Sequence, residues 1–178
     1  MVALIEAALH EGYPAEIVLV ISNDAEAGGL ARAKALGVKT LAIPHRAFST
    51  REAFEAEMDR VLREYNVELI CLAGFMRVLT ASFIEKWPHR LLNIHPSLLP
   101  ELKGLHTHER ALAQQAKTHG CTVHFVVPEL DAGPIIAQAS VPVLVDDTPD
   151  RLAARVLAQE IKLYPKALAE VAARLAEK

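Results

Sequence analysis

Apolar residues at Val2, Leu4, Ile5, Ala8 and Leu9 follow the spacing of one helical face, and Gly12 supplies a stop. No Ser, Asp, Asn or Pro stands ahead of this helix to satisfy its first amides, so the sequence is expected to open inside an element. The continuous run Ile17 to Ile21, closed by Ser22, Asn23 and Asp24, predicts a strand buried on both faces. Residues 25–37 predict a helix ending at Gly37, and Val38 to Ile43 a second strand before Pro44. Ser49 or Thr50 caps the next helix, which carries Glu52 and Glu55 in its first turns. Val67 to Ala73 predicts a third strand, residues 81–87 a short helix, and Leu91 to Ile94 a fourth strand running into NIHPSLLP. Strands alternating with helices predict an α/β fold with a mostly parallel twisted sheet, right-handed crossovers and flanking helices.

Beyond Pro100 the pattern changes. Residues 106–117 predict a helix, and residues 121–127 and 134–143 two strands joined through Leu130 to Pro134, an expected antiparallel hairpin. The Ala- and Leu-rich remainder from Thr148 has helical spacing, with Pro165 expected to kink or break it. No repeat or linker interrupts the series, so one domain over 1–178 accounts for the chain.

With 52% apolar and 23% charged residues, the chain has material for a globular core. Its 19 basic and 22 acidic side chains leave a net charge of −3, which gives no footprint for nucleic acid or an anionic membrane. No apolar run is long enough to span a bilayer. Cys71 and Cys121 stand 50 residues apart without ligand or disulfide spacing. This usage and the lack of a secretory leader predict a cytoplasmic protein.

Ligands of open α/β sheets bind beyond the carboxyl ends of the strands, which singles out Gly74 to Arg77, Asn93 to Ser97 and Glu129 to Gly133. Asn93 and His95 lie two apart, so a strand through both aims them to one side. An amide donor and an imidazole there suit carbonyl chemistry, by donating to an oxyanion and moving a proton. The same residues also fit a polar strand end, with Asn93 in turn bonds and His95 as a satisfied structural imidazole. Asp131 is a turn residue, or a carboxylate that holds an imidazolium if His95 is near. His106, His108, His119 and His124 lack a metal-ligand motif, and a two-residue spacing on a helix points the first two apart. Gly28-Gly29 is no dinucleotide fingerprint, and Ser97 has no nucleophile elbow.

The segments LAGFMRVL, LLNIHPSLLP, GLHTHERAL, VHFV and ELDAGPIIAQ, in this order, resemble the folate-dependent formyltransferases. The form HPSLLPxxxGLHTH is similar to the branch that acts on glycinamide ribonucleotide in purine synthesis. The resemblance runs from residue 1 to about Pro165 and implies a Rossmann-like formyltransferase fold. It implies formyl transfer from 10-formyltetrahydrofolate to the ribonucleotide amine, without a metal. The alternative is a hydrolase that releases formate from the same folate.

By the same matching, Asn93, His95 and Asp131 are the catalytic set. Arg51, Met76, Arg77, Val78 and Leu79 line the folate pocket, with backbone from Val126 and Val127 to Asp131 clasping the pterin-like head. Glu160 contacts the ribonucleotide, and His124 either orients the site or belongs to the core. Met76, Val78 and Leu79 are equally core residues by composition, and Arg51 an exposed first-turn residue. Partners are small molecules only, and the chain is expected to be a monomer or homodimer. Family members open with a strand and a Gly- and Ser-rich loop that holds phosphate. This chain carries neither, and loss of an inner strand is expected to leave two neighbours without main-chain partners.

Overall fold

The computed structural model describes residues 1–177. Helix α1 (Val2–Ala8) buries Leu4 and Ile5 and has no side-chain cap. Strand β1 (Val20–Ser22), helix α2 (Gly28–Ala35) and strand β2 (Thr40–Ala42) form a parallel crossover unit, with Val20 beside Thr40 and Ser22 beside Ala42. Helix α3 (Arg51–Glu64) starts at Thr50, whose hydroxyl accepts from the Ala53 amide at 3.1 Å and so satisfies one of its free donors.

Strand β3 (Ile70–Leu72), helix α4 (Ala81–Glu85) and strand β4 (Leu91–His95) make a second parallel unit. Helix α5 (Thr107–Ala113) leads to strands β5 (Thr118–Phe125) and β6 (Ile135–Pro142). These extend the sheet antiparallel in the order β3-β4-β5-β6, so parallel pairing is confined to the first four strands. The expected hairpin is present. Its turn is packed so closely that a Cβ on Gly133 would lie 1.7 Å from the Phe125 carbonyl oxygen, which excludes every side chain there.

Two expectations change. The runs 17–21 and 67–73 form only three-residue ladders, and the strands lie in separate sheets, β1-β2 and β3-β4-β5-β6. Leu91 and Leu92 of β4 are 1% and 0% exposed, yet Val18 is 38% exposed and the rest of its run is only half-buried. Apolar composition suits a run for burial, but β1 and β3 each have a neighbour on one edge alone, and an open edge leaves a strand accessible beside it.

The second change is at Pro165, which lies inside a helix that continues unbroken, α6 (Pro149–Ala176). Proline removes the donor that would bond the Ile161 carbonyl, but Ile161 is an exposed residue and solvent can take that role. Burial of Tyr164, Ala167, Leu168 and Val171 against Leu92 and Val123 holds the helix on the sheet. The Tyr164 hydroxyl sits 3.0 Å from the carbonyl oxygens of both Leu72 and Leu92, and Tyr13 donates to the Pro165 carbonyl at 2.7 Å.

On the opposite face, Leu62, Leu79, Phe83, Ile84, Trp87 and Leu91 form a second core. Buried Glu55 ties α3 to the start of α4, accepting from both the amide and the hydroxyl of Thr80. This fixes one end of the segment between β3 and α4. None of the described helices is long and apolar enough to cross a membrane.

Candidate active site

Strand β4 runs through Asn93 and His95, so the pleat aims both side chains to one side. The antiparallel register puts His124 of β5 opposite Asn93 and Thr122 opposite His95, giving four polar residues on one patch of the sheet. A register shift between Val123 and His124 interrupts the β5-β6 ladder beside this patch.

The hydrogen bonds fix the orientation of each group. His124 Nδ1 lies 2.9 Å from the Phe125 carbonyl oxygen, which only accepts, so Nδ1 carries the proton. Its Nε2 therefore accepts, and the Asn93 amide nitrogen donates to it at 3.3 Å. Burial, the largest influence, pushes the His124 pKa down, in keeping with this neutral ring, although Asp131 and the Phe125 carbonyl pull the other way. The amide of Asn93 is thus held nitrogen-first, with its second N–H free.

His95 is buried, with Nε2 donating to the Leu102 carbonyl at 3.0 Å and Nδ1 3.4 Å from Asp131 Oδ2. Both nitrogens face acceptors, so a doubly protonated ring satisfies both. Asp131 holds a left-handed backbone conformation, φ 48°, in the β5-β6 turn, and Oδ2 also accepts from the Gly104 amide at 2.9 Å. Its other oxygen lies 3.8 Å from His124 Nε2. His95 of β4 and Asp131 of the turn, 36 residues apart in sequence, are brought together through these contacts.

A cleft of about 830 Å³ opens over the patch. It is lined by Asn93, His95, His124 and Asp131, by Met76 to Leu79, by Val126 and Val127, and by Glu160 of α6. Met76 and Val78 are 78% and 60% exposed, which removes them from the core, whereas Leu79 is buried in the second core at the cleft wall. The Arg77 guanidinium lies 5.9 Å from the Phe54 ring, and its buried Nε has no protein partner among the described residues. Burial raises the pKa of Glu160, opposed by the terminal ammonium group. Arg51 is exposed at the first turn of α3 and does not line this cleft. Among the described residues no group of three or more His, Cys, Asp and Glu is arranged to hold a metal ion.

Sequence reasoning missed the support of the Ser97–Pro100 loop. Thr122 Oγ1 donates to the Ser97 carbonyl at 2.7 Å and accepts from the Leu99 amide at 3.0 Å and Gln138 Nε2 at 2.9 Å. Gln138 also donates to the Leu99 carbonyl at 2.9 Å, Ser97 to the Glu101 carbonyl at 2.7 Å, and Thr107 to the Pro96 carbonyl at 2.6 Å. The available signal was Thr122 and His124 at period two in an apolar strand.

Residues 1–168 match the family described as formyl transferase. The chain is 50% identical over 158 residues to the trifunctional purine biosynthetic protein adenosine-3 of Gallus gallus, covering 89% of this chain and 16% of that protein. The chain spans between 12% and 17% of the length of the trifunctional relatives it matches. It is 45% identical over 163 residues to the phosphoribosylglycinamide formyltransferase of Escherichia coli (strain K12), covering 92% of this chain and 77% of that one. A crystal structure of phosphoribosylglycinamide formyltransferase from Brucella melitensis superposes with a TM-score of 0.94 at 53% identity, over 97% of this chain and 89% of that chain.

Proposed function

Because the chain belongs to the formyl transferase family, we propose that it moves the formyl group of 10-formyltetrahydrofolate to the amine of glycinamide ribonucleotide, a step of purine biosynthesis. The observation that carries this reading is the linked set Asn93, His95, His124 and Asp131 lining one large cleft. A reaction through a tetrahedral intermediate needs preorganised donors where negative charge develops, and this set supplies them.

In this mechanism the amine attacks the formyl carbon and the carbonyl oxygen becomes an oxyanion. The free N–H of Asn93 receives it, held in direction by His124. His95 adds its positive charge, sustained by Asp131. Its Nε2 is committed to Leu102, so direct donation to the oxyanion requires exchange of that carbonyl for the substrate. The amine proton passes through water to Asp131 and from there, again through water, to the folate nitrogen, so that the tetrahedral carbon collapses with the folate leaving as the neutral amine and Asp131 ionised again. No metal takes part in these steps.

The folate lies along Met76 to Leu79 and the Val126–Val127 backbone, where exposed apolar side chains meet an unpartnered arginine suited to a carboxylate. Glu160 faces the ribonucleotide from α6. A chain with these small-molecule substrates works in the cytoplasm, as a monomer or homodimer, without nucleic acid.

The test follows an isotope-labelled formyl group from the folate. Label recovered on the ribonucleotide amine supports the proposal. Label recovered as formate alone, with the ribonucleotide unchanged, rejects it in favour of water as acceptor.

A further inference from the structure

We propose that Arg110 is a positioning residue of the active site: it does not line the cleft, but it holds the loop that clamps His95 and Asp131. This rests on the formyl-transfer reading of that pair. From Leu102 to Leu105 the chain makes no hydrogen bond to other main-chain groups among the described residues. The segment is also bent against its preference. Leu102 and His106 hold the left-handed conformation, at φ 54° and 57°, without being glycine, and Gly104 lies between them at 78°. Such a backbone keeps its shape only where its surroundings impose it. Among the described residues three side chains bond to this main chain. His95 Nε2 donates to the Leu102 carbonyl at 3.0 Å, and Asp131 Oδ2 accepts from the Gly104 amide at 2.9 Å. Arg110 Nη1 donates to the Lys103 carbonyl at 2.6 Å and to the Leu105 carbonyl at 3.1 Å.

The first two contacts belong to the site itself. Apart from packing of the Leu102 side chain on a core cluster, the third is what ties the loop to the rest of the fold. Its anchor is rigid, because the residue after Arg110 in α5 is Ala111, which is completely buried in that same cluster with Cys121, Val141, Leu152 and Val156. The Lys103 carbonyl and the Gly104 amide are the two ends of one planar peptide unit, held at the oxygen by the guanidinium and at the nitrogen by Asp131. A cation at the oxygen polarises the unit and makes its N–H a stronger donor to the carboxylate. The Leu102 carbonyl, which receives the His95 proton, belongs to the adjoining unit. One guanidinium thus bears on both members of the pair. The Lys103–Glu129 ion pair, 3.6 Å long with a Glu129 side chain that is 78% exposed, adds little to this hold.

The test compares Arg110→Ala and Arg110→Lys with wild type. Amide hydrogen exchange at Gly104 and the nitrogen NMR signals of the His95 ring read the two clamps without turnover, and steady-state kinetics read the consequence. Loss of hydrogen bonds from a charged donor makes the loop open more often, so the Gly104 amide of Arg110→Ala should exchange at least about tenfold faster. The His95 ring signals should shift with it. Turnover should fall while KM for the ribonucleotide, which meets Glu160 on α6, stays within about twofold of wild type. Arg110→Lys keeps a cation with several donors and should recover part of each loss; it carries the same comparison if the alanine variant does not fold. Unchanged Gly104 exchange and His95 signals would overturn the proposal, and so would full kcat in a variant whose Gly104 amide has opened. Wild-type protein that transfers no formyl group would instead reject the catalytic reading of the pair, and the exchange and ring signals would still decide whether Arg110 holds it.

Discussion

Thr122→Val isolates the contribution of one oxygen atom. Valine has nearly the shape of threonine, so the change opens no cavity in a site that is completely buried. It deletes Oγ1, which donates to the Ser97 carbonyl and accepts from the Leu99 amide and Gln138. Gln138 keeps its bond to the Leu99 carbonyl, but the Leu99 amide and the Ser97 carbonyl lose this partner inside the protein. Each orphaned group costs about 1–3 kcal/mol, and the new methyl recovers under about 1, so the expected loss is about 3 kcal/mol. In a chain of this size that lowers Tm by about 6–12 °C. Thermal melts of wild type, Thr122→Val and Thr122→Ser measure it, and the serine variant, which keeps the oxygen, should stay much closer to wild type. Because the loop follows His95 directly, turnover of the folded valine variant should fall as well. A Tm within about 2 °C of wild type would show that the loop does not depend on this network.

Asn93→Ala removes one preorganised donor and should lower kcat by about 100- to 1000-fold while leaving the fold intact; steady-state kinetics with retained turnover would take Asn93 out of the mechanism. Gly133→Ala places a methyl against the Phe125 carbonyl and should prevent the β5-β6 turn from forming, seen as loss of soluble protein or a collapsed near-ultraviolet spectrum. His119 is 2% exposed, and its pKa is lowered to about 4, first by burial and then by His108 and His95. An unfolded histidine takes a proton near pH 6.5, so between about 6.5 and 4 the unfolded chain binds more protons and stability falls as the pH drops. Below about pH 4 this contribution levels off. Urea titrations across this range should show a His119 share of up to about 1.4 kcal/mol per pH unit, absent in His119→Gln. An unchanged slope in that variant would assign the acid sensitivity to His108 and His124.

The placement of Asn93 and His95 on one strand was more legible in the sequence than the edges of the sheet that holds them. Asn93 and His95 were readable because a period of two in a strand is a local rule, and the strand does continue through His95. Their tie to Asp131 was not, because spacing says nothing about a turn folding back across β4. Thr122 and Gln138 escaped for a similar reason: their partners lie in a loop 23–39 residues away in sequence. The length of β1 and β3 and the burial of β1 were overread, since apolar composition reports what a run is suited to, not whether both edges find partners. At Pro165 a local rule was overridden by packing of the next helical turns on the sheet.

The most direct measurement of the central claim is the rate of deformylation of a 10-formylfolate analogue by the purified chain, followed by absorbance with and without glycinamide ribonucleotide. Transfer through Asn93, His95 and Asp131 predicts release that depends on the ribonucleotide and is lost in Asn93→Ala. Release at the same rate without the ribonucleotide, or undiminished in that variant, would contradict it.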